Sequence, residues 1–384
     1  MKLRLIKFFY LNSYLKLIKL IFEQIEKIIF GKIKEISIYD CKEIEIKKIY
    51  PSHDFKMTSL KDIDGNQYIK PYKINVPQAN IYNVKNGIFV PGEEEIYTSD
   101  FQVLKEITAQ KKNPKKGKSK KKILKYKKLS GRVLCLSLSG LERNYYHFNT
   151  EFLARWHLHK MSNIEYDYID FDEKNHFQRY FFELLNIPKE KKIPKAFQSF
   201  AIKADNLIVP GLINNWEYFI LPTGHKRHLK QYLPNWFKTI HKDFRKKSKS
   251  KYERIYLSRS KVNRRKVINE GEVVKLISKY NFKVFYMEDL DVGEQIKLFN
   301  NAKIIIAPHG SAIANIVFCS KPFKLFEIFP QNFFDSSHPI SSLVLDCDYS
   351  YMIAESVKSS IIDPQLEDMY VDCKKLSKWL EKLS

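Results

Sequence analysis

The chain has 384 residues, more than one hydrophobic core usually holds, so two domains are expected. Hydrophobic residues make up 44% of it and aromatic residues 14%, which excludes a largely disordered protein. Lys and Arg total 67 against 43 Asp and Glu, and the formal charge of +24 favours anionic partners such as phosphates, acidic lipids, acidic polymers or nucleic acid. A lysine-rich composition on solvated faces would give the same excess.

The cysteines give no sign of a disulfide framework. There are five, an odd number, and no two have the CxxC spacing of a zinc or redox motif. A reducing compartment fits this pattern best. The cysteines are Cys41, Cys135, Cys319, Cys347 and Cys373.

The first 30 residues have the pattern of a basic amphipathic helix. Charged residues interrupt the segment, so no run reaches the roughly 18 apolar residues that a membrane-spanning helix needs. No small-residue cleavage site follows, and we expect no signal peptide. The helix either binds an anionic bilayer surface or packs on the protein itself. Its apolar residues recur at helical spacing at Phe8, Leu11, Leu15, Ile18, Phe22, Ile25 and Ile29.

Two different compositions follow the first helix. Residues 41–110 predict short strands joined by turns, because Pro and Gly interrupt them. The segment 111–128, KKNPKKGKSKKKILKYKK, has eleven Lys in eighteen positions. Such a composition cannot form a packed core, so we expect a solvated loop. The alternative is a loop that contacts a polyanion or a membrane.

Strands and helices alternate from residue 132 onward. Short β-rich apolar runs predict the strands, and helical periodicity predicts the segments between them. This alternation is typical of an α/β layer with parallel strands. Residues 212–250, with several prolines and a basic run, predict a domain boundary. The predicted strands are 132–138, 164–171 and 205–211, and the predicted helices are 144–160 and 175–187.

The most regular alternation lies in residues 254–330. Four strands alternate with three helices there, which predicts a Rossmann-like, doubly wound domain. Sheets of this kind bind ligands at the carboxyl ends of their strands. The predicted strands are 254–260, 282–287, 303–307 and 323–330, the helices are 270–281, 291–302 and 311–319, and a helix at 372–383 closes the chain.

Polar and charged residues follow these four strands at their carboxyl ends. A nucleoside diphosphate needs such a mixture, because its phosphates favour guanidinium groups and the amides at a helix N-terminus. Gly310 allows close backbone approach, and Glu327 could accept both ribose hydroxyls. The residues concerned are Arg259, with Arg264 and Arg265 just beyond it, Glu288, Asp289, His309, Gly310, Ser311 and Glu327.

Each of these residues also has a purely structural interpretation. Arg259 could be a surface cation, His309 a satisfied turn histidine and Glu327 a solvated acid. Their joint placement at strand ends favours the functional interpretation. The chain has no GxGxxG and no GxxxxGK[ST] motif, which argues against a dinucleotide dehydrogenase and against a P-loop protein.

Several segments in order resemble the glycosyltransferase 61 family, which contains plant xylosyl- and arabinosyltransferases, animal O-GlcNAc-type transferases and bacterial capsular polysaccharide enzymes. The resemblance covers roughly residues 130–350. The segments are NYYHFNTEF, RIYLSRSKVNRR, FYMEDLDVGEQIKLFNNAKIIIAPHGSAIANIVFC and FKLFEIFP.

This resemblance implies a GT-B-like α/β fold, with two Rossmann-type domains facing a cleft. It also implies an inverting transfer from a nucleotide-sugar, most readily a UDP-sugar, without a bound catalytic metal or other cofactor. Four DxD pairs occur, at 62/64, 170/172, 289/291 and 346/348, and we assign none of them to a metal.

Without a metal, cationic side chains and helix-end amides must stabilise the leaving diphosphate. We therefore expect Arg259 and the turn His309-Gly310-Ser311 to bind it. Arg264 is a weaker candidate for the same role. We expect the remaining donor contacts from Glu288, Asp289, Asn315 and Glu327.

The general base should come from the other domain, across the cleft. His147 is the candidate, because it lies in the NYYH segment that carries the resemblance. Glu151 follows four residues later on the same helical face, so either residue could be the base and the other its orienting partner. In the alternative interpretation, His147 only bonds the turn at Asn144.

The sequence thus predicts three parts: a basic amphipathic segment at 1–40, an acceptor-side α/β domain at 41–235 that contains the loop 111–128, and a nucleotide-sugar-binding Rossmann-like domain at 236–384. We expect a cytoplasmic enzyme at the inner membrane face that acts on a capsule, lipopolysaccharide or other surface-glycan acceptor. A secretory-pathway lumen reached through an N-terminal anchor is the alternative.

Two rival functions remain open at this stage. One is a non-enzymatic basic protein that binds nucleic acid or another polyanion, although no helix-turn-helix, zinc-finger or RRM signature accompanies the charge, and we expect no nucleic acid partner. The other is an inactive transferase scaffold, against which the intact Arg259, His309 and Glu327 argue.

Overall fold

The structure is a computed structural model that describes residues 17–93, 95–108, 120–138, 140–213, 218–220, 226–228, 231–244, 252–320, 322–357 and 363–383. Contacts between Cα atoms separate the chain into two compact units. The N-terminal unit consists of Met1–Tyr50, Ala79–Glu142 and Arg155–Leu212, and the C-terminal unit of Pro51–Gln78, Arg143–Ala154 and Ile213–Ser384. Both units mix helices and strands, which confirms the predicted α/β class.

A mixed sheet of nine strands forms the N-terminal unit. Ala201–Pro210 runs parallel to Tyr126–Cys135 and antiparallel to Ala79–Lys85. Its last four residues, from Leu207 to Pro210, are apolar and buried, as expected of a strand segment that is covered on both faces, whereas Asp205 in the middle of the strand is exposed. In spatial order the strands are Lys34–Ile36, Gln102–Leu104, Ile96–Tyr97, Ile88–Phe89, Ala201–Pro210, Tyr126–Cys135 and Tyr168–Asp170, and Ala79–Lys85 also pairs with Ile44–Tyr50.

Short helices and 3-10 turns lie between the strands of this unit along the chain. Asn175 begins one of them with a capping box, in which its backbone N–H donates to Oε1 of Gln178 at 2.9 Å. The α-helical segments are residues 17–30, Lys121–Leu124, Leu153–Ser162 and His176–Leu184, and the 3-10 turns are Lys105–Ile107, Leu141–Arg143, Lys189–Lys191 and Lys195–Phe197.

The C-terminal unit contains the doubly wound sheet. Its first five strands are parallel, and the sixth pairs antiparallel at the edge. In spatial order they are Lys283–Phe285, Arg254–Leu257, Ile304–Pro308, Lys324–Pro330, Asp348–Ser356 and Met369–Tyr370. The second strand in the chain lies at one edge, so the order reverses between Arg254–Leu257 and Ile304–Pro308. Such a switch point opens a crevice at the carboxyl ends of the strands.

The helices between these strands follow the predicted alternation closely. Val292–Asn301 begins with a capping box in which Asp291 Oδ1 accepts from the Glu294 N–H at 2.7 Å. The segment predicted as an α-helix after residue 310 is instead the 3-10 helix Ser311–Phe318. The α-helices are Phe237–Ile240, Glu270–Ser278, Val292–Asn301, Ser337–Val344 and Cys373–Glu381, and the further 3-10 turns are Lys242–Phe244, Met287–Asp289 and Pro364–Leu366.

The insertion Pro51–Gln78 lies in the C-terminal unit, although the sequence analysis assigns it to the domain 41–235. Its side chains explain the placement. The Tyr72 hydroxyl donates to the Gln231 carbonyl at 2.5 Å, and Lys375 pairs with Asp64 at 2.7 Å. Its strands are His53–Met57 with Tyr72–Val76 and Leu60–Lys61 with Gln67–Ile69, and a further hairpin joins Tyr218–Ile220 to Lys226–His228.

Arg143–Ala154, which the sequence analysis also places in the domain 41–235, belongs to the C-terminal unit. The Tyr145 hydroxyl donates to Asn315 Oδ1 at 2.7 Å, and the His241 ring bonds the Asn149 carbonyl at 3.1 Å through Nε2. The predicted helix 144–160 therefore spans the division between units. It is continuous as Tyr145–His147, a π-helical turn at Phe148–Phe152, and Leu153–Ser162.

The basic segments are described only in part. Residues 1–16 and 109–119, with the first half of the predicted lysine-rich loop, lie outside the described residues. The end of that segment is ordered structure rather than loop: Lys121–Leu124 is a helical turn, and Tyr126 begins a strand that pairs with Ala201. No helix among the described residues is long and apolar enough to span a membrane.

Candidate functional site

The switch point of the C-terminal sheet brings together residues from two neighbouring strand ends. Arg259 follows Arg254–Leu257, and His309 and Gly310 follow Ile304–Pro308. A Cβ added to Gly310 would lie 2.0 Å from Nη1 of Arg259. The φ of Gly310 is 173°, which any residue adopts, so glycine is needed there for space. Gly310 is predicted to allow close approach to its backbone, and the group that lies in this space is the guanidinium of Arg259.

Arg259 holds its guanidinium in the crevice through backbone contacts. Its Nε and Nη2 donate to the Arg264 carbonyl at 3.4 and 3.1 Å. Burial lowers the pKa of Arg259 to about 10, and the charge of Arg264 adds to that lowering, whereas Glu288 acts in the opposite direction. Arg259 therefore remains charged at neutral pH, although desolvation and the nearby Arg264 destabilise its charged form.

A second guanidinium, that of Arg265, is buried in the same region. The residue is 7% exposed, and its backbone has a φ of 54°, in the left-handed region that a bulky residue rarely adopts. Its guanidinium carbon lies 5.4 Å from the Phe333 ring centroid, and its buried Nε has no hydrogen-bond partner. Burial lowers the pKa of Arg265 to about 9, followed by the charges of Arg259 and Arg264. Within the described chain, no side-chain hydrogen bond or ion pair involves this guanidinium.

Glu327 is completely buried, yet both its oxygens have partners. Oε1 lies 2.6 Å from Nδ1 of His309 and 2.7 Å from Nδ1 of His338, and the Tyr349 hydroxyl donates to Oε2 at 2.8 Å. The ring centroids of His309 and His338 are 4.9 Å apart. A carboxylate in this position orients two imidazoles and offers no surface to a ribose, so the direct ribose contact predicted for Glu327 does not fit the structure.

The charges in this cluster follow from burial and pairing. Burial alone would raise the pKa of Glu327, but the charge of His338 and the hydrogen bonds of both imidazoles lower it to about 2. Burial lowers the pKa of His309 to about 4, and its bond to Glu327 only partly opposes this. Glu327 is thus ionised and His309 neutral at pH 7, so His309 is not a phosphate-binding cation.

His309, Glu327 and His338 also form a group whose ligand atoms all lie within 4.8 Å of one another, as a metal site requires. The geometry favours hydrogen bonds instead. Two ligand atoms at 2.0–2.1 Å from one ion would be separated by about 2.9–3.4 Å, whereas both nitrogen–oxygen distances here are 2.6–2.7 Å. The neighbouring positive charge of Arg265, which affects the pKa of His309, further disfavours a dication.

The segment predicted to supply the base packs against this cluster within the same unit. Nδ1 of His147 lies 2.5 Å from Oε1 of Glu151, which confirms that the two side chains share a helical face. Asn144 caps the helix by accepting from the Tyr146 N–H at 2.9 Å. The Tyr146 ring contacts two imidazoles edge to face, with centroids 5.6 Å from His147 and 5.4 Å from His338.

The other predicted donor residues are placed less centrally. Glu288 is exposed at the end of Lys283–Phe285, and Asp289 is exposed and paired with Lys261 at 2.5 Å. The Arg264 side chain is exposed, and Ser311 is half-buried at the first position of its 3-10 helix.

Asn315 lies beneath the crevice rather than at its surface. It is completely buried. Its Nδ2 donates to Gln295 Oε1 at 2.9 Å and to the Ala312 carbonyl at 3.1 Å, while its Oδ1 accepts from Tyr145. Asn315 therefore joins three segments, and these bonds give the residue a structural role.

The sequence did not indicate His338 or Tyr349, and it placed Arg265 near the site without indicating its burial. Arg265 was noted beside Arg264, but no pattern indicated that the second arginine, and not the first, is buried. His338 is the second residue of the helix Ser337–Val344 and belongs to no recognisable motif. Only the position of Glu327, eleven residues earlier on the neighbouring strand, could have drawn attention to it.

A cavity of about 510 Å³ belongs to the N-terminal unit and contains none of these residues. It is lined by apolar side chains such as Tyr97 and Phe200 and by lysines such as Lys27 and Lys121. The site assembled above is a crevice at a sheet edge and is recognised from its chemistry rather than from its volume.

Comparison with known proteins adds one finding. The family model named Glycosyltransferase 61 matches residues 145–325. The match begins at Tyr145, contains Arg259, Arg265 and His309, and ends two residues before Glu327. No curated protein matches the chain.

Proposed function

Because the chain belongs to the glycosyltransferase 61 family through residues 145–325, and is a glycosyltransferase, we propose that it transfers a sugar from a UDP-sugar to a surface-glycan or polysaccharide acceptor. One observation carries the donor part of this proposal. Two guanidiniums, those of the half-buried Arg259 and the buried Arg265, lie near each other at a sheet switch point, and neither is bonded to a carboxylate among the described residues.

A buried cation is stable only when a partner compensates its charge. Besides burial, the charges of Arg259 and Arg264 lower the pKa of Arg265, and the charge of Arg264 also lowers the pKa of Arg259, so the crevice has an excess of positive charge. A diphosphate at the carboxyl ends of the strands would supply the missing negative charge. Its oxygens would accept hydrogen bonds from the guanidinium N–H groups. Both guanidiniums would then stabilise the diphosphate as it leaves.

The proposed reaction is inverting. An acceptor hydroxyl attacks the anomeric carbon as the bond between that carbon and the diphosphate oxygen breaks. His147 accepts the hydroxyl proton at Nε2, and Glu151, bonded to Nδ1, orients the ring and stabilises its charged form. The electron pair of the broken bond stays with the diphosphate. The proposal requires no metal and no other cofactor, because Arg259 and Arg265 supply the positive charge.

The GT-B-like arrangement of two Rossmann-type domains remains a proposal. The doubly wound order of the C-terminal sheet supports one half of it. The N-terminal sheet supports the other half less directly, because Tyr126–Cys135, Ala201–Pro210 and Tyr168–Asp170 run parallel beside antiparallel strands.

Peripheral attachment to an anionic membrane is proposed from the helix at residues 17–30. Seven of its large apolar side chains are exposed, with Ile28 at 83% and Phe22 at 62%. The positive charge of the chain complements an anionic bilayer. The expected location is the cytoplasmic face of the inner membrane, with the secretory lumen as the alternative. The exposed residues are Leu17, Leu20, Ile21, Phe22, Ile25, Ile28 and Ile29.

Vesicle flotation tests the membrane proposal. Wild type should float with vesicles that contain phosphatidylserine and less with pure phosphatidylcholine. Phe22→Asp should reduce flotation, whereas Ile46→Asp, at an exposed apolar position of a strand, should leave it unchanged. Equal flotation of all three proteins would remove the helix as the membrane contact.

The donor proposal is tested with a panel of nucleotide-sugars, scored by hydrolysis, and by calorimetric titration of UDP. Arg259→Ala and Arg265→Met should each weaken UDP binding about tenfold or more, because each removes a charge-assisted hydrogen bond. Arg254→Ala is the matched control, since Arg254 lies at the amino end of the same strand and its Nη1 donates to the Tyr280 carbonyl at 3.0 Å.

Three outcomes would contradict the donor proposal. Unchanged UDP affinity in both variants would remove the guanidiniums from the donor site. Binding of DNA or RNA without hydrolysis of any nucleotide-sugar would favour a basic nucleic-acid-binding protein. UDP binding without turnover on any donor and acceptor would favour an inactive scaffold.

A further inference from the structure

The three hydrogen bonds of Glu327 determine where the protons of two imidazoles lie. An ionised carboxylate only accepts hydrogen bonds, so His309 and His338 each donate from Nδ1, at 2.6 and 2.7 Å. Tyr349 donates to the second oxygen at 2.8 Å and holds the carboxylate in place. Nε2 of the neutral His309 ring therefore carries a lone pair, and Nε2 of His338 is not used by Glu327.

These two Nε2 atoms have no protein hydrogen-bond partner in the described chain. The side chains of His309 and His338 are only 8% and 3% exposed. Neither Nε2 is among the fully buried side-chain atoms that lack a partner, so both reach the accessible side of the cluster, where a bound molecule can form a hydrogen bond with them. A hydroxyl group is the donor that suits a neutral imidazole.

The two imidazoles lie beside the two guanidiniums, neither of which has a carboxylate partner among the described residues. The charge of Arg265 affects the pKa of His309 and is itself affected by Glu327, and Arg259 packs against Gly310, the next residue after His309. Imidazoles that can form hydrogen bonds with hydroxyls therefore lie next to guanidiniums that can bind an anion. A ligand that carries a diphosphate next to a sugar with free hydroxyls complements both features, whereas inorganic pyrophosphate complements only the cations.

We propose that Nε2 of His309 accepts a hydrogen bond from a sugar hydroxyl attached to the bound diphosphate, that Nε2 of His338 forms a hydrogen bond with a second such hydroxyl, and that Glu327 is the positioning residue for both rings. The inference rests on the proposed donor site and deepens it. It moves the hydroxyl-binding role from Glu327 to the imidazoles that Glu327 orients, and it adds His338 to the site. Discrimination between a glycosyl diphosphate and pyrophosphate is the function assigned to this cluster.

Calorimetric titration of pyrophosphate, UDP and 2′-deoxy-UDP tests the proposal. Loss of one hydrogen bond corresponds to about a three- to tenfold change in affinity. His338→Ala should weaken UDP binding by this factor and leave pyrophosphate binding within about twofold. His338→Gln should restore part of the loss, because its amide oxygen can lie near the position of Nε2. His176→Ala, at an exposed histidine of the N-terminal unit, is the control.

Tyr349→Phe serves as a second variant that keeps the shape of the buried cluster. It should reproduce the pattern of His338→Ala with a smaller effect, because it only loosens the carboxylate. If wild type binds UDP more tightly than 2′-deoxy-UDP and the variants bind the two equally well, the hydroxyls are those of the ribose. The second case is that the variants bind UDP as tightly as wild type but bind more weakly the UDP-sugar that wild type hydrolyses fastest. The hydroxyls are then those of the transferred sugar. Either result supports the proposal.

Two results would overturn the inference alone. UDP, 2′-deoxy-UDP and UDP-sugar affinities that are all unchanged in His338→Ala and Tyr349→Phe would show that the imidazoles bind no hydroxyl. A pyrophosphate affinity reduced as much as that for UDP would show that the cluster only supports the fold of the crevice. Failure of wild type to bind any of these ligands would instead reject the donor site itself.

Discussion

The guanidinium of Arg259 occupies the space in which a side chain at Gly310 would begin. Nη1 of Arg259 would lie 2.0 Å from a Cβ at position 310, and its guanidinium carbon 2.9 Å from it. Two strand ends, far apart in the chain and adjacent in the sheet, are thereby packed so closely that one arginine and one glycine depend on each other.

Gly310→Ala should therefore displace the Arg259 guanidinium while leaving the fold intact, because the end of a long side chain can move. We expect UDP affinity to fall about tenfold, since a misplaced guanidinium loses a charge-assisted hydrogen bond to the diphosphate. Calorimetric titration gives the affinity, and thermal unfolding checks the fold.

Gly271→Ala is the matched control for this substitution. Gly271 lies in the helix Glu270–Ser278 with no atom within 4 Å of an added Cβ. Alanine there should raise the free energy of unfolding by about 0.5–1 kcal/mol and leave UDP affinity unchanged. UDP affinity that is equally high in Gly310→Ala and Gly271→Ala would separate Arg259 from the donor.

Glu327→Ala should strongly destabilise the C-terminal unit. It leaves His309, His338 and Tyr349 without their shared acceptor in the interior, and removal of one partner of a buried charged cluster costs about 3–5 kcal/mol. Urea unfolding measures this effect.

The control for Glu327→Ala is Asp348→Ala on the adjacent strand. Asp348 pairs with Lys324 at 2.6 Å, but the two side chains are 60% and 45% exposed. Breaking this ion pair should cost at most about 1 kcal/mol. A similar cost for both substitutions would mean that the buried network contributes no more than a surface ion pair.

Asp170 lies at the end of a strand in the N-terminal unit. Its ionisation should lower the free energy of unfolding as pH rises. Burial raises the pKa of Asp170 from 3.8 to about 7, although the Gly92 N–H, which donates at 3.2 Å, and Ser137 partly oppose this. Between about pH 4 and 7 the folded state holds a proton that the unfolded state releases. The free energy of unfolding contributed by this group therefore falls as pH rises through that window.

Asp170→Asn removes the titration and keeps an acceptor for Gly92. We compare the free energy of unfolding of the variant minus that of wild type at two pH values. This difference should be larger at pH 8 than at pH 5 by at least about 1 kcal/mol. Comparing the two proteins at each pH cancels the opposite contribution of His309, whose lowered pKa makes the fold lose stability as pH falls from 6.5 towards 4. A difference that does not change with pH would show that Asp170 titrates normally.

His147→Ala and Glu151→Gln should each lower the rate of transfer with little change in UDP affinity. Loss of a general base typically lowers the rate by about 10²- to 10⁴-fold, and the pair is joined at 2.5 Å. Transfer and UDP release are measured with the donor identified in the panel, with His176→Ala as a control at an exposed histidine. Near-normal turnover in both variants would exclude this pair as the base.

Local patterns in the sequence were sufficient for much of the C-terminal fold. The strand predicted at 303–307 is Ile304–Pro308, and the helix predicted at 291–302 is Val292–Asn301. Periodicity identifies such elements because the burial of one face repeats along neighbouring residues. The same reasoning could not distinguish the 3-10 helix Ser311–Phe318 from an α-helix, since its run of apolar residues is buried in either form.

The site was predicted in part for a comparable reason. Parallel strands place their carboxyl ends along one edge, so the meeting of Arg259 with His309 and Gly310 follows from strand order alone. The burial of Arg265 does not follow from local sequence, because the left-handed backbone at that residue turns it inward while Arg264 stays exposed. The shared carboxylate of His309 and His338 depends on the path of the loop that leads into Ser337–Val344.

The amino-acid sequence by itself determined the alternation of strands and helices, the strand ends that carry charged residues and the resemblance to the glycosyltransferase 61 family. The tertiary structure alone decided that Arg143–Ala154 packs with the C-terminal unit and that Glu327 holds two imidazoles. The physical reason is the separation along the chain of the residues that interact. Periodicity reflects contacts between neighbours in the chain, whereas burial and hydrogen bonds between distant residues depend on how the backbone brings them together.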